Sequence, residues 1–184
     1  MTKTSIVAIL AQFFPPMESP KQTYIIVLLL VASWCAGIVL APFLASSNHS
    51  VSALLYSFFS PICHQIDHRS FHIEGQKLAV CIRCTSMYYG FFISLLLFPF
   101  VRDVRSPIIP DKRWLIPAMV PMTVDVLLSV MSLHPSTTLT RVVTGIALGS
   151  ALPFFIVPPL LEAISQIRNR LTKQGGISYA RKAE

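Results

Sequence analysis

The stretch from Thr23 to Leu44, TYIIVLLLVASWCAGIVLAPFL, contains no charged residue. About 20 apolar residues are what an α-helix needs to cross the roughly 30 Å hydrocarbon core of a bilayer. The run therefore restricts the chain to a membrane protein, or to a secreted one with an unusually long leader. Lys3 and Lys21 before it and Ala45 and Ser46 after it imitate a signal peptide, but the apolar core of a leader is only about 7–15 residues long. Retention as a first transmembrane helix is the better reading. Composition agrees: 53% of the 184 residues are hydrophobic and 12% are charged, about half the charged share of a soluble domain.

The expected fold is all-α, a polytopic membrane helix bundle of about four transmembrane helices plus a short interfacial helix ahead of a Cys/His loop. Residues 1–22 form an N-terminal cytoplasmic or interfacial segment: the apolar run Ser5 to Phe14 is too short to span, and Pro15, Pro16 and Pro20 break any helix before the first span. Ser46 to Ser50 reads as a polar turn, and Val51 to Ser60, stopped by Pro61, as the short helix. Further spans are expected from Leu78 to Val101, from Trp114 to Leu133 and from Arg141 to Leu161, so the membrane domain is 23–161 with the Cys/His loop at 45–84. The last span carries Gly145 and Gly149, a G-x-x-x-G spacing that lets helices approach closely. The tail, 162–184, is basic and reads as a cytoplasmic amphipathic helix that frays after Gly175 and Gly176.

The net charge of +7 raises nucleic acid as a partner, but the basic residues flank apolar runs and do not interleave with aromatics as a nucleic-acid groove requires. A four-span chain with its N-terminus inside puts Lys3, Lys21, Arg102, Arg105, Lys112, Arg113, Arg168, Arg170, Lys173, Arg181 and Lys182 on the cytoplasmic side. Only Arg69, Lys77, Arg83 and Arg141 are left outside. Lys and Arg collect in cytoplasmic segments, so the expectation is a multi-pass cell-membrane protein with both termini cytoplasmic and the cysteine loop outside.

That loop, Cys63 to Gly90, holds three of the four cysteines and three of the five histidines. Cys63 adjoins His64, and Cys81 and Cys84 form a C-x-x-C pair. Four cysteines are too few for a disulfide scaffold, and Thr85 after Cys84 excludes the C-x-x-C-H haem attachment. Thiols in the first turn of a helix, beside Arg83, have lowered pKa values. His64, His68 and His72 recur every four residues and would stack on one face if that piece were helical. Cys35 lies inside the first span and reads as a packing residue. Tyr88 and Tyr89 read as interfacial anchors.

The pattern Cys63-His64-Gln65, Arg69-Ser70-Phe71, Cys81-Ile82-Arg83-Cys84-Thr85, then Tyr88 and Gly90, resembles the uncharacterised prokaryotic membrane-protein family DUF2085. Asp125 in the third span and Arg141-Val142-Val143-Thr144-Gly145 opening the fourth look like its later motifs, while Ser86 stands where the family pattern leads one to expect glycine. The resemblance covers roughly residues 51 to 150 and implies a multi-span membrane protein without a defined activity.

The leading functional expectation is a metal site of zinc type, with Cys63, His64, Cys81 and Cys84 as ligands. Three thiolates and one imidazole close a tetrahedral zinc site, and copper(I) also accepts such soft ligands. The alternative is a thiol-disulfide oxidoreductase using Cys81 and Cys84, with Cys63 as exchanging partner and a quinone as cofactor. A third reading is a small transporter subunit working as a homo-oligomer around Asp125, since a carboxylate inside a span must face the bundle interior or be protonated. Arg83 and Arg141 are its expected partners. A helix running to Leu133 would bury Asp125 too deep for a direct pair and call for a bridging water, an unwound helix or a bound ion.

Overall fold

The computed structural model describes residues 20–104, 110–133 and 136–182. The predicted interfacial run Ser5 to Phe14 lies outside them. Helix α1 runs Pro20–Ser47 and α2 His49–Phe59. After the cysteine loop come α3, Ile82–Val101, α4, Leu115–Val130, and α5, Thr138–Lys182. The all-α class is as expected.

Three of these helices are long and apolar enough to cross a membrane: α1, α3 and the Thr138–Arg168 part of α5. The expected third span is shorter than expected. Its helix has 16 residues, about 24 Å at 1.5 Å per residue, because Lys112–Trp114 is wound as a tight 3₁₀ turn and the chain after Val130 leaves the helix through Ser132, at φ 57°. Leu29, Leu30, Phe100, Ile116 and Val130 are all exposed, an apolar surface that suits lipid far better than water.

Pro20 does not break the first helix but opens it, a position where its missing N–H costs nothing. The polar turn between α1 and α2 shrinks to Asn48, whose side chain caps α2 by accepting from the Val51 N–H at 3.2 Å. The second span starts at Ile82, not Leu78, since Leu78, Ala79 and Val80 are buried in a bent, non-helical segment ahead of it. The tail also departs from expectation. Helix α5 continues through Gly175 and Gly176 to Lys182, because each residue added to a formed helix closes another hydrogen bond and a glycine costs only about 1 kcal/mol.

Prolines inside two helices hold the bundle together. Pro42 has no N–H for the Ile38 carbonyl, and the Ala79 N–H lies 3.4 Å from that oxygen. Pro99 likewise frees the Leu95 carbonyl, which accepts from the Tyr24 hydroxyl. A carbonyl left bare in hydrocarbon must find a donor, and here each one fastens a different part of the chain.

Helices α3 and α5 run parallel and meet backbone to backbone. A Cβ on Gly145 would come within 2.8 Å of the Arg83 carbonyl oxygen, one on Gly90 within 2.9 Å of the Ile146 oxygen, and one on Gly149 would collide with the Met87 carbonyl. The G-x-x-x-G spacing is therefore a packing seam. Helix α1 runs antiparallel to α3, so Tyr24 joins Leu95, Phe98, Val157 and Leu161 in one core at the far end. The start of α1 and the second half of α5 thus share one end of the bundle. The other core, Ile38, Ala41, Phe59, Cys63 and Leu78 to Val80, surrounds the thiols.

A three-thiol cluster and an arginine-carboxylate pair

The thiols are assembled from two directions. Helix α2 folds back along α1, fixed by the Ser52 hydroxyl on the Ala41 carbonyl at 2.8 Å, and its last turn delivers Cys63, whose N–H bonds to the Phe59 carbonyl at 3.1 Å. The loop then makes a 3₁₀ turn, Asp67–Arg69, and a two-stranded hairpin, β1 His72–Ile73 with β2 Gln76–Lys77. Glu74 and Gly75, at φ 51° and 77°, form the two-residue left-handed turn such a hairpin favours. The loop is latched to α2 twice, by Tyr56 donating to the Lys77 carbonyl and by Gln65 Nε2 donating to the Tyr56 carbonyl at 2.7 Å, and it is tied to itself by Lys77 Nζ donating to the Gln65 carbonyl at 2.8 Å. From this hairpin the chain passes through Leu78 to Val80, pinned on Ile38, and enters α3 with Cys81 as N-cap.

Cys63, Cys81 and Cys84 offer sulfurs that all lie within 4.8 Å of one another. Cys81 Sγ and Cys84 Sγ are 3.5 Å apart, and the Cys81 N–H donates to Cys63 Sγ at 3.2 Å. Cys63 is only 6% exposed. Hydrogen bonding from the Cys81 thiol, then from the Cys84 thiol, holds the Cys63 pKa far below the ordinary thiol value; burial opposes this, and the backbone N–H groups of Cys81 and Gln65 add to it. The floor beneath is aromatic: Trp34 stands edge-on to Phe59 at 5.1 Å and to Tyr88 at 5.8 Å. Tetrahedral zinc with Zn–S of about 2.3 Å places its sulfurs about 3.8 Å apart. The cluster needs only small side-chain movements to meet that, whereas a disulfide requires about 2.05 Å.

Not every sequence-predicted residue joins it. His64 is exposed and its ring lies outside the thiol group. His68 and His72 are exposed on the 3₁₀ turn and the hairpin, so the histidines do not stack on a helix face; His72 Nε2 sits 3.3 Å from Asp67 Oδ1. Cys35 is buried one layer down, its thiol 3.7 Å from the Tyr88 carbonyl oxygen. Tyr88 and Tyr89 are half-buried: Tyr88 meets Trp34, and the Tyr89 hydroxyl donates to the Cys35 carbonyl at 3.1 Å.

On the opposite face of α3, Arg83 Nη2 donates directly to Asp125 Oδ2. No bridging group is needed, contrary to expectation. Because α4 ends at Val130, Asp125 is five residues from that end, about 7.5 Å, within reach of an arginine. The two side chains are 19% and 11% exposed. Arg83 Nη2 is also 3.4 Å from Ser136 Oγ, and Arg141 Nε donates to the same oxygen at 3.0 Å. Arg141 therefore flanks the pair through Ser136. Sequence reasoning did not single out Ser136 or the Ile38 carbonyl; the proline four residues after Ile38 was the available signal for the latter.

These features define a multi-span helical membrane protein with a partly buried three-thiol cluster and an arginine-carboxylate pair behind it. The family model described as "Predicted membrane protein (DUF2085)" matches residues 63–155, from the first clustered cysteine through the α3–α5 seam. The chain belongs to this family. It is also 36% identical over 150 residues to "Uncharacterized protein MJ1492" of Methanocaldococcus jannaschii, an alignment covering 78% of this chain and 96% of that protein. No solved structure matches it.

Proposed function

We propose that this membrane protein holds a soft metal ion of zinc type at Cys63, Cys81 and Cys84. The observation that carries this reading is the convergence of three sulfurs within 4.8 Å, from two separate parts of the chain, inside an apolar enclosure. His64 follows Cys63 directly and is the candidate fourth ligand; its exposed ring has to swing inward to close the site. Without that movement the fourth position stays open to water or to an incoming ligand. Copper(I) suits the same sulfurs.

Elemental analysis of protein purified without added metal, combined with thiol counting, tests this. About one metal per chain is expected, lost on Cys→Ser change at Cys63, Cys81 or Cys84. His64→Ala should weaken the site if it is closed and leave it unaltered if the fourth position is open. The 3.5 Å approach of Cys81 and Cys84 favours a second reading, a thiol-disulfide oxidoreductase. There Cys81 and Cys84 lose two electrons and two protons to a quinone as their disulfide forms; Cys63 attacks that disulfide, pairing with one sulfur and freeing the other as a thiol, and an external dithiol then reduces the Cys63 disulfide and leaves as a disulfide itself. Metal-free protein with Cys81 and Cys84 disulfide-bonded would put that reading first.

The Lys and Arg distribution supports a thiol site outside the cytoplasm and termini within it. Cysteines introduced at Asn48 and Lys173 are then expected to label from opposite faces of intact cells. An impermeant reagent that reaches position 173 and not position 48 reverses the orientation.

A further inference from the structure

The arginine side of α3 carries more positive charge than its single carboxylate neutralises. Arg83 and Arg141 both approach the Ser136 hydroxyl, at 3.4 Å and 3.0 Å, and Ser136 Oγ is in turn 3.4 Å from Ser129 Oγ. Arg69, exposed on the 3₁₀ turn and hydrogen-bonded through Nε to His68 Nε2 at 3.3 Å, adds a third positive charge within electrostatic range of the Arg141 guanidinium, as Arg83, Asp125 and Cys81 are. Among the described residues Arg83 and Arg141 converge on one hydroxyl, and of the two only Arg83 pairs with a carboxylate. Among the described residues Arg83 Nε is buried without an acceptor, and a buried guanidinium N–H is a group that proteins ordinarily satisfy. The parallel α3 and α5 both begin here, at Ile82 and Thr138, so two positive helix ends point the same way. Like charges gathered around one hydroxyl repel each other unless an anion lies among them.

We propose that Arg69, Arg83, Arg141 and Ser136 form a binding site for a phosphate-type oxyanion, set against the far face of the helix that carries the thiols. Guanidinium groups hold tetrahedral oxyanions through paired N–H donors, and the anion would supply an acceptor for Arg83. Asp125 is the internal competitor that occupies Arg83 when the anion is away. The phosphate can belong to a soluble ion or to an anionic lipid headgroup, since the site sits at the end of membrane-crossing helices. The inference rests on no part of the metal reading.

The test uses the full chain in neutral detergent and in lipid nanodiscs. Binding of radiolabelled inorganic phosphate is measured on the detergent protein, and retention of phosphatidylglycerol against phosphatidylcholine by native mass spectrometry on protein released from the discs. Saturable binding of at least one of the two probes is expected; phosphate alone identifies a soluble ligand, phosphatidylglycerol alone a headgroup. Arg69→Gln and Arg141→Gln should each weaken that binding about tenfold, the loss of one charged hydrogen-bonding partner. Asp125→Asn should strengthen it severalfold by freeing Arg83, which a merely structural ion pair would not do. Arg113→Gln, which removes an exposed arginine just ahead of α4, outside both sites, should leave it unchanged. Arg69 is exposed, so its variant keeps the test decisive should Asp125→Asn fail to fold. Absence of binding of either probe, or wild-type binding by both Arg69→Gln and Arg141→Gln, overturns the site.

Discussion

The two faces of α3 solve opposite problems. On the face toward α1 and α2, the thiols sit in an apolar shell with an aromatic floor and are positioned by main chain, the Ile38 carbonyl and the Cys81 N–H among the contacts. On the face toward α4 and α5, charged side chains are positioned by one another, through Asp125 and Ser136. Main-chain scaffolding fixes geometry even when a ligand leaves. Mutual charge pairing shifts whenever one partner does. The first face suits a tightly held ion, the second an exchangeable one.

The largest expected effect comes from removing what the faces share. Gly149→Leu forces a side chain into the Met87 backbone, and overpacking of that kind costs at least 1–3 kcal/mol. Folded protein recovered in detergent, read by size-exclusion and thermal unfolding, should fall sharply, and metal content with it. A variant as stable as the parent would mean that the helices are free to part, and the comparison would lose its common axis.

Breaking one face alone should spare the other. Arg83→Met strands the Asp125 carboxylate in a mostly buried position, which costs about 3 kcal/mol, measurable as a lowered unfolding midpoint. Metal per chain should stay near the parent value. Loss of metal in this variant would show that the thiol site depends on the arginine side.

The smallest effect, taken per unit of pH, is confined to the thiol face. The Cys63 pKa is lowered in the folded protein, so below the ordinary thiol value of about 8.5 the unfolded chain binds the extra proton. The metal-free protein should then gain stability as pH rises toward that value and lose it as pH falls, by at most about 1.4 kcal/mol per unit. Thermal unfolding across pH 6 to 8.5 should show the slope, and Cys63→Ser should flatten it.

Much of this was legible in the chain itself. The uncharged run of α1 announced a membrane helix, the C-x-x-C pair with Cys63 announced the thiol cluster, and Asp125 announced its need for an arginine. What escaped were features set by the third dimension. The start of α3 slid from Leu78 to Ile82 because Ala79 was claimed by the Ile38 carbonyl, which Pro42 had freed in the first helix. The reach of Arg83 to Asp125 depended on where α4 stops, and apolar periodicity does not mark that. His64 neighbours Cys63 in sequence, yet the left-handed Gln65, at φ 50°, follows it immediately, and its ring stays outside.

The glycine seam gives α3 one more property. Where Gly90, Gly145 and Gly149 bring main chain against main chain, no rotatable side chain lies between to absorb motion, and close-packed backbone transmits strain. Cys84 and Arg83 are neighbours on that same rod. Any movement of α3 therefore carries the start of α5 with it, and Ser136 and Arg141 travel beside Arg83 instead of sliding past it. The arginine side keeps its own spacing whatever the thiols do.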